Sequence, residues 1–241
     1  MSETLTVGDL QRLETSNTAA VDQPDATART FGFSPSLVMV TNSTCAQADA
    51  IRALRTHIMA QHINLGRRAL AVCAPIVDVG CSFVAANLAV SLSQIGVKTL
   101  LIDGDLRNPA LDRMIRRADG NTGLTKCLQS LGAPFSSNID PDVLPNLSLL
   151  YAGGTVANTQ ELLGGERFKA LMNYCLREYD VTIVDTPPAN TSTDARRIGS
   201  VVGYALIVTA KDKTFVKDMK TLTSELRSDG CLPVGSVLNG A

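Results

Sequence analysis

The chain has 241 residues, 45% of them hydrophobic, and its 22 Lys+Arg against 23 Asp+Glu leave a formal net charge of -1. That length and apolar fraction suit one sizeable α/β domain with a full core. The near-neutral balance argues against the electrostatic footprint of a nucleic-acid binder, and no apolar run approaches the ~18–20 residues of a membrane helix.

In chain order, residues 1–30 are rich in Ser, Thr, Asp, Gln and Ala, so a disordered arm is expected there. A short amphipathic helix over residues 7–13 could dock on a partner. The opening MSETLTVGDLQRLETSN lacks the basic-then-apolar order of a signal peptide, which predicts a cytoplasmic protein. Residues 31–241 are expected to form a single domain. Residues 48–61 read as a helix with Ile51, Leu54, Ile58 and Met59 as its apolar stripe. Asp49, Arg52 and Arg55 lie near one charged face of it.

Residues 70–74 form a short apolar run that Pro75 ends, and a loop continues to Gly80. From Ser82, Val84, Leu88, Leu92 and Ile95 recur at helical spacing, with Gly96 at the stop. Residues 97–102 are a buried-type strand ending in Asp103. Strand, loop, helix and strand in this order make a βαβ unit, and hence a parallel sheet.

Farther on, residues 120–142 read as loop and short helix, and residues 146–151 as a strand. Residues 166–177 form a helix with Phe168, Leu171, Met172 and Cys175 inward. Strands are expected over 181–185, 204–209 and 233–238, with helices over 192–198 and 214–227. Val216, Met219, Leu222 and Leu226 are the inward positions of the last helix. The six cysteines lack a C-x-x-C pair and read as reduced thiols, with Cys73, Cys127 and Cys175 as core residues. His57 and His62 do not share a helix face well, so no metal site is expected from them. Arg67-Arg68 and Arg116-Arg117 read as solvated basic pairs.

A loop between a strand and a helix N-terminus is where a phosphate sits, since backbone N–H groups and the helix dipole both favour an anion. The working motif is G-x-x-x-x-G-K-[ST]. Here the segment is Pro75-Ile76-Val77-Asp78-Val79-Gly80-Cys81-Ser82. The last glycine is present as Gly80 and the Mg-binding hydroxyl as Ser82, but Cys81 occupies the lysine position and Pro75 the first-glycine position. A lost lysine removes a charge-assisted contact of roughly 1.5–3 kcal/mol. An inward Asp78 would add roughly 3 kcal/mol of repulsion per facing charge. The sum, about 5 kcal/mol, is roughly three to four decades in affinity. Cys81 offers no repair, because a helix N-terminus is expected to lower a thiol pKa and make an anion.

With Gly80, Ser82 and Asn87-Leu88-Ala89, the strand end Asp103-Gly104-Asp105-Leu106-Arg107 and the strand end Ile183-Val184-Asp185-Thr186-Pro187-Pro188, the chain resembles the cytoplasmic kinase domain of bacterial tyrosine kinases of capsule and exopolysaccharide systems. These are P-loop proteins related to the ParA and MinD ATPases. The resemblance runs from about Ser34 to Gly240. It implies an α/β fold with a doubly wound, mostly parallel sheet, P-loop NTPase-like, in three αβα layers. It also implies ATP or ADP with Mg as cofactor, weakly bound or not at all given the degenerate loop.

By the same resemblance, Asp103 and Asp105 would be catalytic if the protein is active. Gly80, Cys81, Ser82 and Asn239 would be the nucleotide positions, with Ser82, Asp103 and Asp185 around Mg. The alternative for the aspartates is structural, with Asp105 or Asn108 capping the helix near Pro109. Asp49-x-x-Arg52-x-x-Arg55 resembles the family's E-x-x-R-x-x-R, used in ring contacts between subunits, with an acid shorter by one methylene. Active members carry a tyrosine-rich C-terminal tail, whereas the last tyrosine here is Tyr204.

The function so implied is that of a degenerate kinase-like protein of capsule, exopolysaccharide or holdfast-type export. It would form homo-oligomers and bind the cytoplasmic segment of a Wzz-like membrane polysaccharide co-polymerase, peripheral at the inner membrane. Two alternatives are a weak ATP-dependent tyrosine kinase or ATPase, its lysine supplied by Lys98, Lys211 or Lys213, and a MinD- or ParA-like positioning protein.

Overall fold

A computed structural model describes residues 31–117, 122–130, 132–156 and 158–240. The expected arm over 1–30 and its helix over 7–13 lie outside the described residues. The elements are β1 (Phe31–Phe33), α1 (Val38–Thr41), α2 (Ala46–Gln61), β2 (Ala69–Cys73), α3 (Cys81–Ser93), β3 (Thr99–Asp103), α4 (Leu111–Met114) and β4 (Ile115–Arg117). They continue with α5 (Leu124–Gln129), β5 (Asp140–Leu144), β6 (Leu147–Leu150), α6 (Thr159–Gly164), α7 (Glu166–Glu178) and β7 (Val181–Asp185). The last four are α8 (Asp194–Val202), β8 (Tyr204–Ala210), α9 (Val216–Ser228) and β9 (Leu232–Asn239).

Seven strands make one sheet in the order β5-β6-β3-β7-β2-β8-β9. All neighbours are parallel except β5 and β6. β2, β3 and β7 are buried at every position. Their residues alternate between two apolar layers. Leu70 and Val72 face α2 and α3, while Ala71 and Cys73 face the side of α7, α8 and α9. Side chains on both faces of a central strand are covered by helices, which is why these strands read as continuous apolar runs rather than as alternation. Phe168, Leu171, Met172 and Cys175 are all buried, as their spacing requires.

Three short strands were not legible in the sequence. β5 pairs antiparallel with β6 through an irregular register, and β1 pairs antiparallel with β4 in a separate two-stranded sheet. Each of β1 and β4 has three residues, too few for a period to register. Two apolar assignments also fail. α3 ends at Ser93, so Ile95 lies beyond it and is 48% exposed. Val216, the first residue of α9, is 64% exposed. Among the described residues no helix is long and apolar enough to cross a membrane.

Candidate nucleotide site

The loop between β2 and α3 lies at the carboxyl ends of the parallel strands, where an open α/β sheet places its ligands. Gly80 caps α3 in the left-handed region, φ 85°, and a Cβ there would collide with the Asn239 amide. Asp78 also sits left-handed, at φ 55°. A glycine takes that conformation freely, whereas an aspartate is tolerated there at some cost. The loop borders a cavity of about 440 Å³ shared with Asp105, Asn108, Arg113 and Thr186.

The loop is also tied down from outside. Asn239 Nδ2 donates to the Val79 carbonyl at 3.0 Å, and Lys213 Nζ donates to the Asp78 carbonyl at 3.2 Å. Asn239, matched by resemblance to a base contact, therefore braces the loop through its side chain. Of the three lysines considered as substitutes, Lys213 reaches the loop. Lys98 does not: it precedes β3, at the opposite end of the sheet, with its ammonium 5.2 Å from the centre of the Tyr179 ring.

The Cys81 thiol is committed to the sheet rather than offered to the cavity. Its Sγ donates to the Val72 carbonyl at 3.2 Å, back toward the sheet. Burial first, then the charge of Asp185, pushes the thiol pKa well above its ordinary value. The anion expected at a helix N-terminus does not form: low-dielectric surroundings and a neighbouring carboxylate outweigh the helix dipole. Asp78 is exposed, so solvent screens its charge and the repulsion expected of an inward carboxylate shrinks. The missing lysine is the larger loss.

Beneath the loop stand two carboxyls on adjacent strands, Asp103 opposite Asp185 in the β3–β7 register, both fully buried. Asp103 accepts N–H groups throughout: Oδ1 from Asp105 at 3.2 Å, Oδ2 from Ala110 and Leu111 at 3.2 and 3.1 Å. It is thus Asp103, rather than Asp105 or Asn108, that caps α4. Asp105 Oδ1 instead braces the preceding turn, accepting from the N–H groups of Arg107 and Asn108 at 3.0 and 2.9 Å. Burial and the neighbouring Asp185 raise the Asp103 pKa well above the carboxylate range despite those bonds.

Both Asp185 oxygens are buried and without a hydrogen-bond partner among the described residues. Burial pushes this carboxyl up to about 7, with Ser82 and Cys81 close enough to offset the rise in part. Two buried carboxylate oxygens beside the Ser82 hydroxyl fit a hard cation with oxygen ligands. Asp185 and Ser82 would hold Mg, and Asp103, occupied by backbone donors, fits that role less well. Bound there, Mg would supply charge neutralisation between phosphate oxygens.

Sequence reasoning missed the network that anchors this site. Arg107 Nε donates to Asp194 Oδ2 at 2.8 Å and Nη2 to Thr159 Oγ1 at 2.8 Å, while Thr159 Oγ1 donates to the same Asp194 oxygen at 2.9 Å. It locks the turn after β3 to α6 and α8. The arginine of D-x-D-x-R was the available signal; its partners lie 52 and 87 positions away. Asn87 is a second anchor. It accepts the Met39 N–H and donates to the Ser36 and Phe83 carbonyls, fastening the α1 segment to α3.

The helix residues matched to ring contacts are placed apart from this cavity, along α2. Arg52 pairs with Asp49 at 2.7 Å, and Arg55 donates to the Ser91 carbonyl of α3 at 3.0 Å.

No protein-family model matches the chain. Comparison with curated proteins is informative. The chain is 32% identical over 192 residues to a putative tyrosine-protein kinase, CapB, of Staphylococcus aureus, covering 80% of this chain and 83% of that one. It is 32% identical over 203 residues to the tyrosine-protein kinase Wzc of Salmonella typhi, covering 84% of this chain but 28% of that longer protein. Among solved structures, the kinase domain of the Escherichia coli tyrosine kinase ETK superposes with a TM-score of 0.78 at 27% identity, over 85% of this chain and 80% of that one. A MinD protein of Pyrococcus horikoshii with Mg-ADP shares the fold at a TM-score of 0.58 and 20% identity, over 71% and 69%. With the loop, the paired aspartates and the D-x-P-P strand end all at one edge of a parallel sheet, and with this extent of likeness to CapB, the chain belongs to the bacterial tyrosine-protein kinase family.

Proposed function

We propose that this protein is a member of that family in which nucleotide handling is weakened and the work is done by binding and assembly. It would act in capsule, exopolysaccharide or holdfast-type polysaccharide export, at the inner membrane, on the cytoplasmic segment of a membrane polysaccharide co-polymerase. The observation that carries this reading is Cys81: at the lysine position a neutral thiol turns back to the Val72 carbonyl, so the loop itself offers no cation to a phosphate. The strained Asp78 points the same way. Relatives named as tyrosine kinases, one of them a "Putative tyrosine-protein kinase in cps region", support the cellular setting.

A second reading, a weak kinase or ATPase, rests on Lys213, whose ammonium already touches the loop at the Asp78 carbonyl, and on the cation-ready Asp185. Titration calorimetry with ATP and ADP, each with Mg, separates the two. The first reading expects no saturation below the millimolar range in the wild type, and a gain of about a hundredfold in Asp78→Gly/Cys81→Lys. Micromolar binding by the wild type, lost in Lys213→Ala, would put the enzyme reading ahead.

A further inference from the structure

Beside the loop cavity lies a second and larger one, about 730 Å³, with Arg113 on the wall of both. Its rim carries Arg113 and Arg116, and its inner wall Arg117 and the backbone of Gly153, Gly154 and Thr155. Arg117 is fixed: it pairs with Asp140 at 2.9 Å and lies over the Tyr151 ring, 4.4 Å from its centre. The expectation of a solvated basic pair therefore fails for Arg117, which is spent on structure. Arg113 and Arg116 are different. Neither guanidinium makes a hydrogen bond or ion pair among the described residues, and both are exposed at the cavity. One carboxylate, Asp112, lines the same space.

The glycine wall is built to be polar and rigid. Gly153 and Gly154 both hold positive φ, 78° and 107°. A Cβ on Gly153 would fall 2.8 Å from Gly123 Cα, so the close crossing of these two segments needs glycine. The N–H groups of Gly153, Gly154 and Thr155 donate to nothing among the described residues. Consecutive N–H groups without an acceptor among the described residues, lining the same cavity as two uncommitted guanidiniums, are a candidate donor set for an anion site.

We propose that this cavity binds a phosphomonoester, separately from the nucleotide loop, through Arg113, Arg116 and the Gly153–Thr155 backbone. Planar guanidiniums bind two phosphate oxygens at once, and the dianion matches two free positive charges better than a carboxylate would. The phosphate could be free or carried on an aromatic ring, and the same titration distinguishes them.

The test is calorimetric titration of the full chain with inorganic phosphate and with phenyl phosphate, on the wild type, on Arg116→Gln, whose side chain lines this cavity and not the loop cavity, on Arg113→Gln/Arg116→Gln and on Asp78→Gly. Both substituted arginines are exposed, so the double variant is expected to melt like the wild type. The proposal expects both anions to bind, with affinity falling about tenfold or more in the double variant and unchanged in Asp78→Gly. Tighter binding of phenyl phosphate would assign the site to an aryl phosphate, and equal binding to free phosphate. No heat from either anion at tens of millimolar overturns it, as does an unchanged affinity in the double variant. Tighter phosphate binding in Asp78→Gly, together with unchanged affinity in Arg116→Gln, would also overturn it, because the anion would then be seated in the nucleotide loop.

Discussion

Asp185 ends β7 beside Asp103, its oxygens buried and without a hydrogen-bond partner among the described residues, and its chemistry sets a pH signature. Its folded pKa is raised to about 7 by burial, while an unfolded carboxyl titrates near roughly 4. Between those values the folded protein holds a proton that the unfolded chain has released. The folded state therefore binds more protons, and stability falls as pH rises through that window. Asp103 is shifted in the same direction and adds a slope of the same sign. Asp185→Asn removes one contribution. It is expected to melt above the wild type at pH 8, with the gap closing at pH 5, in thermal unfolding without added divalent cation. A variant less stable than the wild type at pH 8 would mean that the buried carboxylate is compensated in a way this geometry does not contain.

At the scale of elements, the site is held by side chains that reach between secondary structures. Arg107 bridges the turn after β3 to Thr159 on α6 and Asp194 on α8. Asp194 is 1% exposed, so deleting the arginine leaves a buried charge with no cationic partner and only the Thr159 hydroxyl as side-chain donor. Arg107→Met should destabilise the fold by about 3 kcal/mol, the low end for breaking a buried pair, since the arginine itself is partly solvated. Urea unfolding checks this. A loss under about 1 kcal/mol would show that Asp194 finds water or another donor. The βαβ unit, α7 and the strand β7 were legible because each carries a full period of apolar positions. The caps were not: which of Asp103, Asp105 or Asn108 holds α4 depends on where the chain turns after β3. The turn brings the Ala110 and Leu111 N–H groups back to Asp103.

For the whole molecule, assembly is the property the proposed function needs. Arg52 and Arg55 are the candidate contacts, although within one chain both already have partners, Asp49 and the Ser91 carbonyl. Changing both to Glu is expected to lower the mass in solution measured by light scattering. Unchanged thermal unfolding would separate a lost contact between subunits from a lost fold. An unaltered mass rejects the helix as the assembly surface.

The sequence by itself determined the sheet's central strands, the helices that cover it and the position of the phosphate loop. Those follow from local apolar period and from glycines and aspartates at fixed spacing, which act over a few residues. It also showed the lysine to be missing. Only the tertiary structure decided what replaced it. The Cys81 thiol is neutral because α3 presses it against β2 and Asp185. Lys213 reaches the loop because β8 delivers it beside Asp78 from 135 positions away. Arg113, Arg116 and the Gly153–Gly154 turn share a cavity because β4 and β6 bring distant segments together. Burial and long-range proximity set each of these, and neither is written in the spacing of neighbouring residues.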